Sequence, residues 1–244
     1  MPERIVIIPT YNEIENIERI IRNVFSQDVA FHILVVDDSS PDGTAVKVKA
    51  LQQEYPERLN LLVRTTKNGL GRAYIAGFKW ALEHNYDYIF EMDADYSHNP
   101  NDLIRLYNAC FKHGADLSIG SRYINGVNVV NWPMNRVMLS WLASWYVKLI
   151  TQMPICDTTA GFVCYRKSVL EKINFDKIKF VGYAFQIEMK YKAYTLGFNL
   201  KEVPIVFTDR TKGESKMDKR IIWEAVLGVI NLKLKSIFFK QKFN

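Results

Sequence analysis

The sequence is poor in cysteine, which limits the kinds of site that it can build. Its three cysteines, Cys110, Cys156 and Cys164, form no CxxC pair and have no histidine at a zinc-ligand spacing. A disulfide framework needs an even set of cysteines, and structural zinc needs four closely grouped Cys or His ligands. The sequence therefore indicates neither kind of site, and we expect a reducing, cytoplasmic setting.

Long apolar runs are also missing. A bilayer span needs about 20 mostly apolar residues, whereas segment 137–156 contains Lys148 and Pro154, and segment 221–239 contains Glu224. The first residues lack the charged region, apolar stretch and small-residue cleavage site that are typical of a secretion signal. We therefore expect a cytoplasmic protein without transmembrane helices.

Glycine-rich phosphate loops are the third absence. The sequence has neither a GxxxxGK[ST] loop nor a GxGxxG turn, and GLGR at 69–72 has too few glycines for either. The common phosphate cradles of NTPases and dinucleotide enzymes are thereby excluded. A nucleotide would have to be held by another arrangement.

What the sequence does contain is enough apolar residues for one full core. It has 244 residues, of which 48% are hydrophobic, and a net charge of +6 with acidic residues interspersed. This balance does not favour a nucleic-acid partner. The basic and apolar tail KLKSIFFKQKFN suits an anionic membrane surface, although a frayed terminus packed against the domain is an alternative.

Short apolar runs alternate with helix-like segments through the first half of the chain. The predicted strands are RIVIIPT, HILVVDD, LNLLV, YIFEMD and DLSIGS, and the predicted helices cover 15–25, 44–55, 72–84 and 101–113. The strand runs are short and rich in Val, Ile and Leu, and the helix segments carry apolar residues near helical spacing. The alternation predicts an α/β fold whose mostly parallel sheet is flanked by helices.

Polar residues follow several of the predicted strands. They include PTYNE at 9–13, Asp37 with Asp38, the DAD run at 93–95, and Ser121 with Arg122. Ligands of open α/β sheets bind beyond the carboxyl ends of the strands. We therefore expect these residues to form one polar rim.

Asp93 and Asp95 stand one residue apart where an apolar run ends. If YIFEMDADY were a single strand, the two carboxylates would share a face and repel each other unless a cation lay between them. A solvated turn is the alternative, because Asp is common in turns. The neighbouring polar strand ends favour a bound Mg²⁺ or Mn²⁺, which takes one or two protein carboxylates together with water and phosphate oxygens.

Six motifs, in order along nearly the whole chain, resemble those of the family 2 glycosyltransferases. Within that family the set is similar to the dolichyl-phosphate mannose synthases and their bacterial polyprenyl-phosphate counterparts. The motifs are PTYNE (9–13), VVDDSSPDGT (35–44), NGLGRAYIAGF (68–78), MDADYSHNP (92–100), GSRY (120–123) and TDRTKGESK (208–216).

The resemblance implies a GT-A fold and an inverting transfer of a hexose, most directly mannose from GDP-mannose, to a polyprenyl (dolichyl-type) phosphate. It implies Mg²⁺ or Mn²⁺ on Asp93 and Asp95. Several relatives have Gln two residues after the second Asp, where this chain has Ser97. The nucleotide contacts that it implies are Pro9, Tyr11, Glu13, Val36, Asp38, Asp93, Ala94, Asp95, Arg122, Arg210 and Lys216.

Catalysis by this chain would not require a general base. A phosphate monoester has a second pKa of about 6, so it is largely dianionic at neutral pH and can attack unaided. The expected catalytic residues are Asp95, which would hold the metal, and the cations Arg122 and Arg136. The metal and the two cations would neutralise charge on the leaving diphosphate and the acceptor. Arg136 and Ser140 lie one helical turn apart and would share a face toward the acceptor phosphate. A solvated cap on an apolar helix is the alternative for Arg136.

The predicted organisation is a GT-A domain over 1–220 and a basic amphipathic helix over 221–244. Within the domain, the amphipathic segment 130–156 would face the acceptor and the membrane. Trp132, Trp141 and Trp145 favour an interfacial helix there, because indole rings prefer the headgroup level; a buried core helix is the alternative. The expected protein is peripheral on the cytoplasmic face of a membrane, and the resemblance leaves open a small membrane-anchoring partner.

Two other functions remain open at this point. One is a family 2 transferase with another donor, such as UDP-glucose, or a different acceptor. The other is a non-enzymatic membrane-surface or nucleic-acid-binding adaptor, suggested by the basic net charge. The adaptor needs no carboxylates at the strand ends, and the main interpretation expects no nucleic-acid partner.

Overall fold

The computed structural model describes residues 3–209 and 219–240. Its strands are β1 (Arg4–Thr10), β2 (His32–Asp37), β3 (Leu59–Val63), β4 (Tyr88–Glu91), β5 (Leu117–Ser121), β6 (Val129–Val130), β7 (Val163–Arg166), β8 (Leu200–Pro204) and β9 (Phe207–Thr208). Its helices are α1 (Ile17–Phe25), α2 (Thr44–Gln52), α3 (Leu70–Glu83), α4 (Asp102–Phe111), α5 (Met134–Thr151), α6 (Lys167–Lys172), α7 (Tyr183–Thr195) and α8 (Lys219–Lys240), with a 3-10 turn at Phe175–Lys177.

A central sheet in the order β3-β2-β1-β4-β7-β5-β8 organises the fold. Its neighbouring strands pair in parallel except at β7, which runs antiparallel to both β4 and β5. The prediction of a mostly parallel sheet is thus confirmed. The chain moves outward from β1 through β2 to β3 and then returns to the other side of β1 at β4. The strand order therefore reverses between β1 and β4, which is where open α/β sheets hold their ligands.

Apolar runs form these strands because both faces of the sheet are covered. In β1, the side chains of Ile5 and Ile7 belong to one buried cluster, and those of Val6 and Ile8 belong to the other. Helices α3 and α7 contribute to the first cluster, and α1, α2 and α4 contribute to the second. A strand that is buried on both faces needs apolar residues at consecutive positions.

The predicted strands and helices of the first half all occur, with boundaries shifted by a few residues. One shift matters for the site. Strand β4 ends at Glu91, so Asp93 and Asp95 lie in the following loop, and their proximity does not come from a shared strand face.

Helices α5 and α8 lie against each other on the side of the first cluster. The Tyr146 hydroxyl of α5 donates a hydrogen bond of 3.0 Å to the carbonyl of Val226 in α8. Val147 and Val229 are buried at this contact. No helix within residues 3–209 and 219–240 combines the length and the apolar character needed to cross a bilayer.

Candidate active site

The loop after β4 fixes Asp93 and Asp95 with hydrogen bonds. The Tyr74 hydroxyl donates to Oδ1 of Asp93 at 3.2 Å, and the backbone N–H of Ser97 donates to Oδ1 of Asp95 at 3.0 Å. Both aspartates are half-buried. Their carboxylates are therefore held in place at the rim of the sheet, beside the point where the strand order reverses.

His98 holds this loop through a hydrogen bond to its backbone. Its Nδ1 accepts a hydrogen bond of 3.2 Å from the backbone N–H of Asp93, and its ring stacks on Phe162 with centroids 4.8 Å apart. Burial lowers the pKa of His98 to about 4, so the ring is neutral at physiological pH. A neutral imidazole that accepts at Nδ1 positions the loop.

Arg122, directly after β5, forms a buried ion pair with Asp157. Its Nε and Nη2 donate to the two carboxylate oxygens at 2.7 and 2.6 Å, and its backbone N–H donates at 2.9 Å. Burial alone would raise the pKa of Asp157, but the guanidinium charge and these hydrogen bonds bring the pKa below its usual value. Glu202 holds the other side of the loop, accepting the backbone N–H groups of Cys156 and Asp157, each at 2.8 Å.

Two guanidinium groups lie close to the indole ring of Trp132. Arg122 is 5.6 Å and Arg136 is 4.2 Å from its centroid. Nη1 of Arg136 also donates to both carboxylate oxygens of Asp209, each at 3.0 Å. Two cations on one aromatic platform make this wall of the site suitable for an anion.

A cavity of about 400 Å³ brings several predicted residues together. Asp93, Asp95, Arg122 and Arg136 all line it. Apolar side chains from α5, α7 and α8 complete the wall, including Leu139, Leu142, Ile187, Val226 and Val229. The cavity therefore joins carboxylates and guanidinium groups to an apolar surface.

The predicted nucleoside residues lie at the ends of β1 and β2, outside the lining of this cavity. Pro9, Tyr11 and Glu13 are half-buried, and the Nζ of Lys67 lies 3.5 Å from the ring centroid of Tyr11. Ala94 is buried in the loop after β4. The Asp38 side chain is nearly buried and lies 3.0 Å from Nη1 of Arg64.

Val36 differs from the other predicted contacts because its side chain is fully buried in the core. Any contact that it makes with a nucleotide must therefore come from its backbone. Arg210 and Lys216 lie outside the described residues, as does most of the TDRTKGESK motif. Their predicted roles at phosphates stay predictions.

The VVDDSSPDGT motif ties the loops after β1 and β2 together. Buried Asp37 accepts the hydroxyl of Thr10 at 2.8 Å, and the Ser40 hydroxyl accepts the backbone N–H of Asn12 at 3.0 Å. Asp42 accepts the backbone N–H of Ile14 at 3.0 Å. Much of this motif is thus structural, which spacing in the sequence did not reveal.

A buried polar cluster that the sequence did not predict lies at the wall of the cavity, which one of its members, Gln186, lines. The Nε2 of Gln186 donates to the carboxylate of Glu91 at 2.5 Å. The Nζ of Lys190 donates to the carbonyls of Ala160 and Gln186 at 2.5 and 3.2 Å and lies 3.5 Å from Oε1 of Gln186. Burial raises the pKa of Glu91 and lowers that of Lys190, and the opposite charge of each opposes the shift of the other.

The donor set at Asp93 and Asp95 fits a hard divalent cation. Two fixed carboxylates match what Mg²⁺ takes from a protein when phosphate oxygens and water complete its shell. The hydroxyl oxygen of Ser97 is buried beside them without a hydrogen-bond partner in the described part of the chain. In the same part no group of three or more His, Cys, Asp or Glu is arranged as a metal site.

Comparisons with known proteins agree with this geometry. The sequence profile described as Glycosyl transferase family 2 matches residues 5–174. The polyprenol monophosphomannose synthase of Mycolicibacterium smegmatis is 48% identical over 225 residues, covering 92% of this chain and 84% of that protein. The undecaprenyl-phosphate mannosyltransferase of Micrococcus luteus is 46% identical over 225 residues, covering 92% and 91% respectively.

A solved structure shares the fold. The mannosyltransferase PcManGT from Pyrobaculum calidifontis, in complex with GDP-Man and Mn²⁺, superposes with a TM-score of 0.59 over 100% of this chain and 76% of that chain. The two sequences are 17% identical, so the similarity concerns the fold alone. The GT-A architecture expected from the sequence is confirmed.

Proposed function

The chain belongs to glycosyl transferase family 2, and we propose that it transfers mannose from GDP-mannose to a polyprenyl phosphate at a membrane surface, with inversion at the anomeric carbon. The names of its relatives support both substrates, since they are a polyprenol monophosphomannose synthase and an undecaprenyl-phosphate mannosyltransferase. Because the chain belongs to an enzyme family, a purely adaptor role is not needed to explain its basic net charge.

The donor diphosphate is proposed to bind at Asp93 and Asp95 through Mg²⁺ or Mn²⁺. Asp93 and Asp95 would hold the cation, which would supply positive charge against the leaving diphosphate. The loops after β1 and β2 lie beside the DAD loop, where the strand order reverses. They are proposed to hold the nucleoside through Pro9, Tyr11, Glu13, Asp38 and the backbone of Val36, with Ala94 lining the diphosphate and Arg210 and Lys216 facing its phosphates.

The acceptor phosphate is proposed to bind at Arg136, beside Arg122. Asp157 holds the Arg122 guanidinium with hydrogen bonds, so this cation is already oriented when the ligands arrive. A lipid phosphate at neutral pH is dianionic and can attack the anomeric carbon without a general base. The cationic wall would then hold two anionic reactants close together in line for displacement.

The lipid chain is proposed to leave the cavity along α5 and α8. Many large apolar side chains of these helices are exposed, namely Met134, Met138, Leu139, Trp141, Leu142, Trp145, Leu149, Leu227, Ile230 and Leu234. Exposed groups of large apolar side chains mark surfaces for membranes or partners, and indole rings suit the headgroup level of a bilayer. We therefore propose that this surface faces the membrane, on its cytoplasmic side.

A single observation carries this proposal: one cavity joins the carboxylates of Asp93 and Asp95, the guanidinium of Arg136 and the apolar side chains of α5 and α8. A soluble saccharide acceptor would not need that apolar wall. A phosphate headgroup above a hydrocarbon chain has both of the chemical characters that the cavity offers.

The experiment is transfer of label into lipid. Purified protein is incubated with polyprenyl phosphate in vesicles, Mg²⁺ or Mn²⁺, and either radiolabelled GDP-mannose or radiolabelled UDP-glucose, and the lipids are extracted. The proposal expects label in the lipid extract from GDP-mannose alone. Label from UDP-glucose instead, or label that stays with a water-soluble saccharide, would show that the donor or the acceptor is misassigned.

A further inference from the structure

Gln186 is a buried amide at the wall of the active-site cavity. It is 3% exposed and lines the cavity together with Asp93, Asp95 and Arg136. One N–H of its side chain donates to Glu91, two residues before Asp93 in the chain. Its amide nitrogen carries two N–H groups, so a second donor remains beside the place proposed for the diphosphate.

The Lys190 ammonium on one side and an accepting oxygen of Glu91 on the other fix the orientation of this amide. The carboxylate of Glu91 lies 2.5 Å from Nε2, and the Nζ of Lys190 lies 3.5 Å from Oε1. If the amide were rotated by half a turn, its oxygen would face the carboxylate and its NH₂ group would face the ammonium. The contact of the NH₂ group with the ammonium would be repulsive, and repulsion is strong in a buried site of low dielectric. Glu91 and Lys190 therefore position an N–H donor.

Gly161 leaves that donor accessible from the cavity. It lines the cavity as well, and a Cβ atom built on it would lie 3.8 Å from Nε2 of Gln186 and 3.8 Å from Cε1 of His98. A side chain at this position would thus occupy the space in front of the amide. Because 3.8 Å is an ordinary contact distance, an alanine fits here without strain.

The chemistry around the amide favours a neutral partner. A phosphate oxygen next to Nε2 would stand close to the Glu91 oxygen that accepts from the same amide, and two acceptor oxygens that carry partial or full negative charge repel each other in a buried site. A hydroxyl group has no such penalty and can accept the N–H. In the proposed reaction the hexose lies between the diphosphate at Asp93 and Asp95 and the acceptor phosphate at Arg136, and Gln186 lines the same cavity.

We propose that the side-chain N–H of Gln186 donates to a hydroxyl of the transferred hexose, with Glu91 and Lys190 as positioning residues that fix the amide. The inference rests on the proposed function, because it takes the hexose of a nucleotide sugar as the ligand. It assigns recognition of the sugar to Gln186 and leaves the nucleotide and diphosphate to other residues.

The test compares binding of GDP and of GDP-mannose, each with Mg²⁺, by isothermal titration calorimetry. The proteins are the wild type, Gln186→Leu, Gly161→Ala and the control Gln52→Leu, whose glutamine bonds the carbonyl of Leu59 away from the cavity. For Gln186→Leu and Gly161→Ala we expect affinity for GDP-mannose to fall roughly three- to tenfold, as for one lost hydrogen bond, while affinity for GDP stays unchanged. The control should match the wild type with both ligands.

A separate set of variants tests the positioning role of Glu91 and Lys190. The double variant Glu91→Gln with Lys190→Met removes both charges together, and it should lose about as much GDP-mannose affinity as Gln186→Leu. Adding Gln186→Leu to it should cost nothing further. Thermal melts verify that each variant is folded, and Gly161→Ala provides the test if the double variant is not.

Different outcomes overturn different claims. Equal losses for GDP and GDP-mannose in Gln186→Leu would mean that the amide contacts the diphosphate, and unchanged GDP-mannose binding in Gln186→Leu and Gly161→Ala would mean that it contacts no ligand. Either result overturns the inference. If the wild type binds neither GDP nor GDP-mannose but binds UDP-glucose, the donor in the proposed function is wrong, and that failure is distinguishable from the others.

Discussion

Arg136 and Asp209 form an ion pair inside the active-site cavity. Nη1 of Arg136 donates to both carboxylate oxygens at 3.0 Å, and the guanidinium lies 4.2 Å from the centroid of the Trp132 ring. Both partners are partly exposed, with 29% of the Arg136 side chain and 23% of the Asp209 side chain accessible. The pair places a carboxylate against the cation that is proposed to bind the acceptor phosphate.

Replacing Arg136 by alanine should abolish transfer to polyprenyl phosphate while the fold and GDP binding persist. The side chain lies on the exposed helix α5, so its removal leaves no buried charge without a partner. The measurements are lipid labelling, GDP titration and a thermal melt, with Arg105→Ala as the matched control because Arg105 pairs with Asp102 on α4. Labelling of Arg136→Ala at the wild-type rate across acceptor concentrations would show that the acceptor binds elsewhere.

Replacing Asp209 by asparagine should lower the KM for polyprenyl phosphate by several-fold. The substitution removes a negative charge that competes with the incoming phosphate, an effect of about 1 kcal/mol or more at contact distance. The KM for GDP-mannose should change little in the same kinetic assay. A higher acceptor KM would mean that the carboxylate is needed to hold Arg136 in place.

Trp141→Ala and Trp145→Ala should leave the free energy of unfolding within about 0.5 kcal/mol of wild type, because both side chains are roughly half exposed. The same variants should bind less well to anionic vesicles in a sedimentation assay, since they lose interfacial aromatic area. Phe185→Ala is the contrasting change: its ring is fully buried, and its loss should cost about 3–5 kcal/mol. Unfolding of the tryptophan variants would restore the core-helix interpretation of this segment.

Asp157→Ala should destabilise the protein by about 3–5 kcal/mol, because it leaves the buried guanidinium of Arg122 without its counter-ion. Asp176→Ala, which breaks an exposed pair with Lys79, should cost less than about 1 kcal/mol. Urea unfolding measures both. Similar small losses in the two variants would show that the buried pair contributes little.

The stability from Asp157 should also depend on pH. Its pKa is lower in the folded protein than the usual 3.8, so folding favours the charged carboxylate. The contribution is therefore complete at neutral pH and is lost as the pH falls below 3.8 and through the folded pKa. The stability difference between wild type and Asp157→Ala should shrink accordingly between pH 7 and strongly acidic pH.

The features that the sequence predicted are those that local patterns determine. Strand β1 is a run of consecutive apolar residues because both faces of the sheet are covered, and the polar residues after β4 and β5 lie at its ligand-binding edge. Antiparallel β7 was not predicted, since Val163–Arg166 pairs with strands far away in the chain.

The partners of the site residues could be identified only from the folded structure. Arg122 and Asp157 are 35 residues apart, and Gln186 and Glu91 are 95 residues apart. No spacing rule in a single sequence connects positions so distant. The sequence could thus identify the charged residues at the rim of the sheet, but it could not show which of them form ion pairs or hydrogen bonds with each other.

The most direct test of the account is metal-dependent labelling of lipid by the wild type and by Asp95→Asn. Both proteins receive radiolabelled GDP-mannose and polyprenyl phosphate, with Mg²⁺ or Mn²⁺ or with EDTA, and the extracted lipid is counted. The account predicts labelled lipid from the wild type with metal, none with EDTA, and none from a folded Asp95→Asn protein. Full labelling in EDTA, or by Asp95→Asn, would contradict the role assigned to the carboxylates after β4.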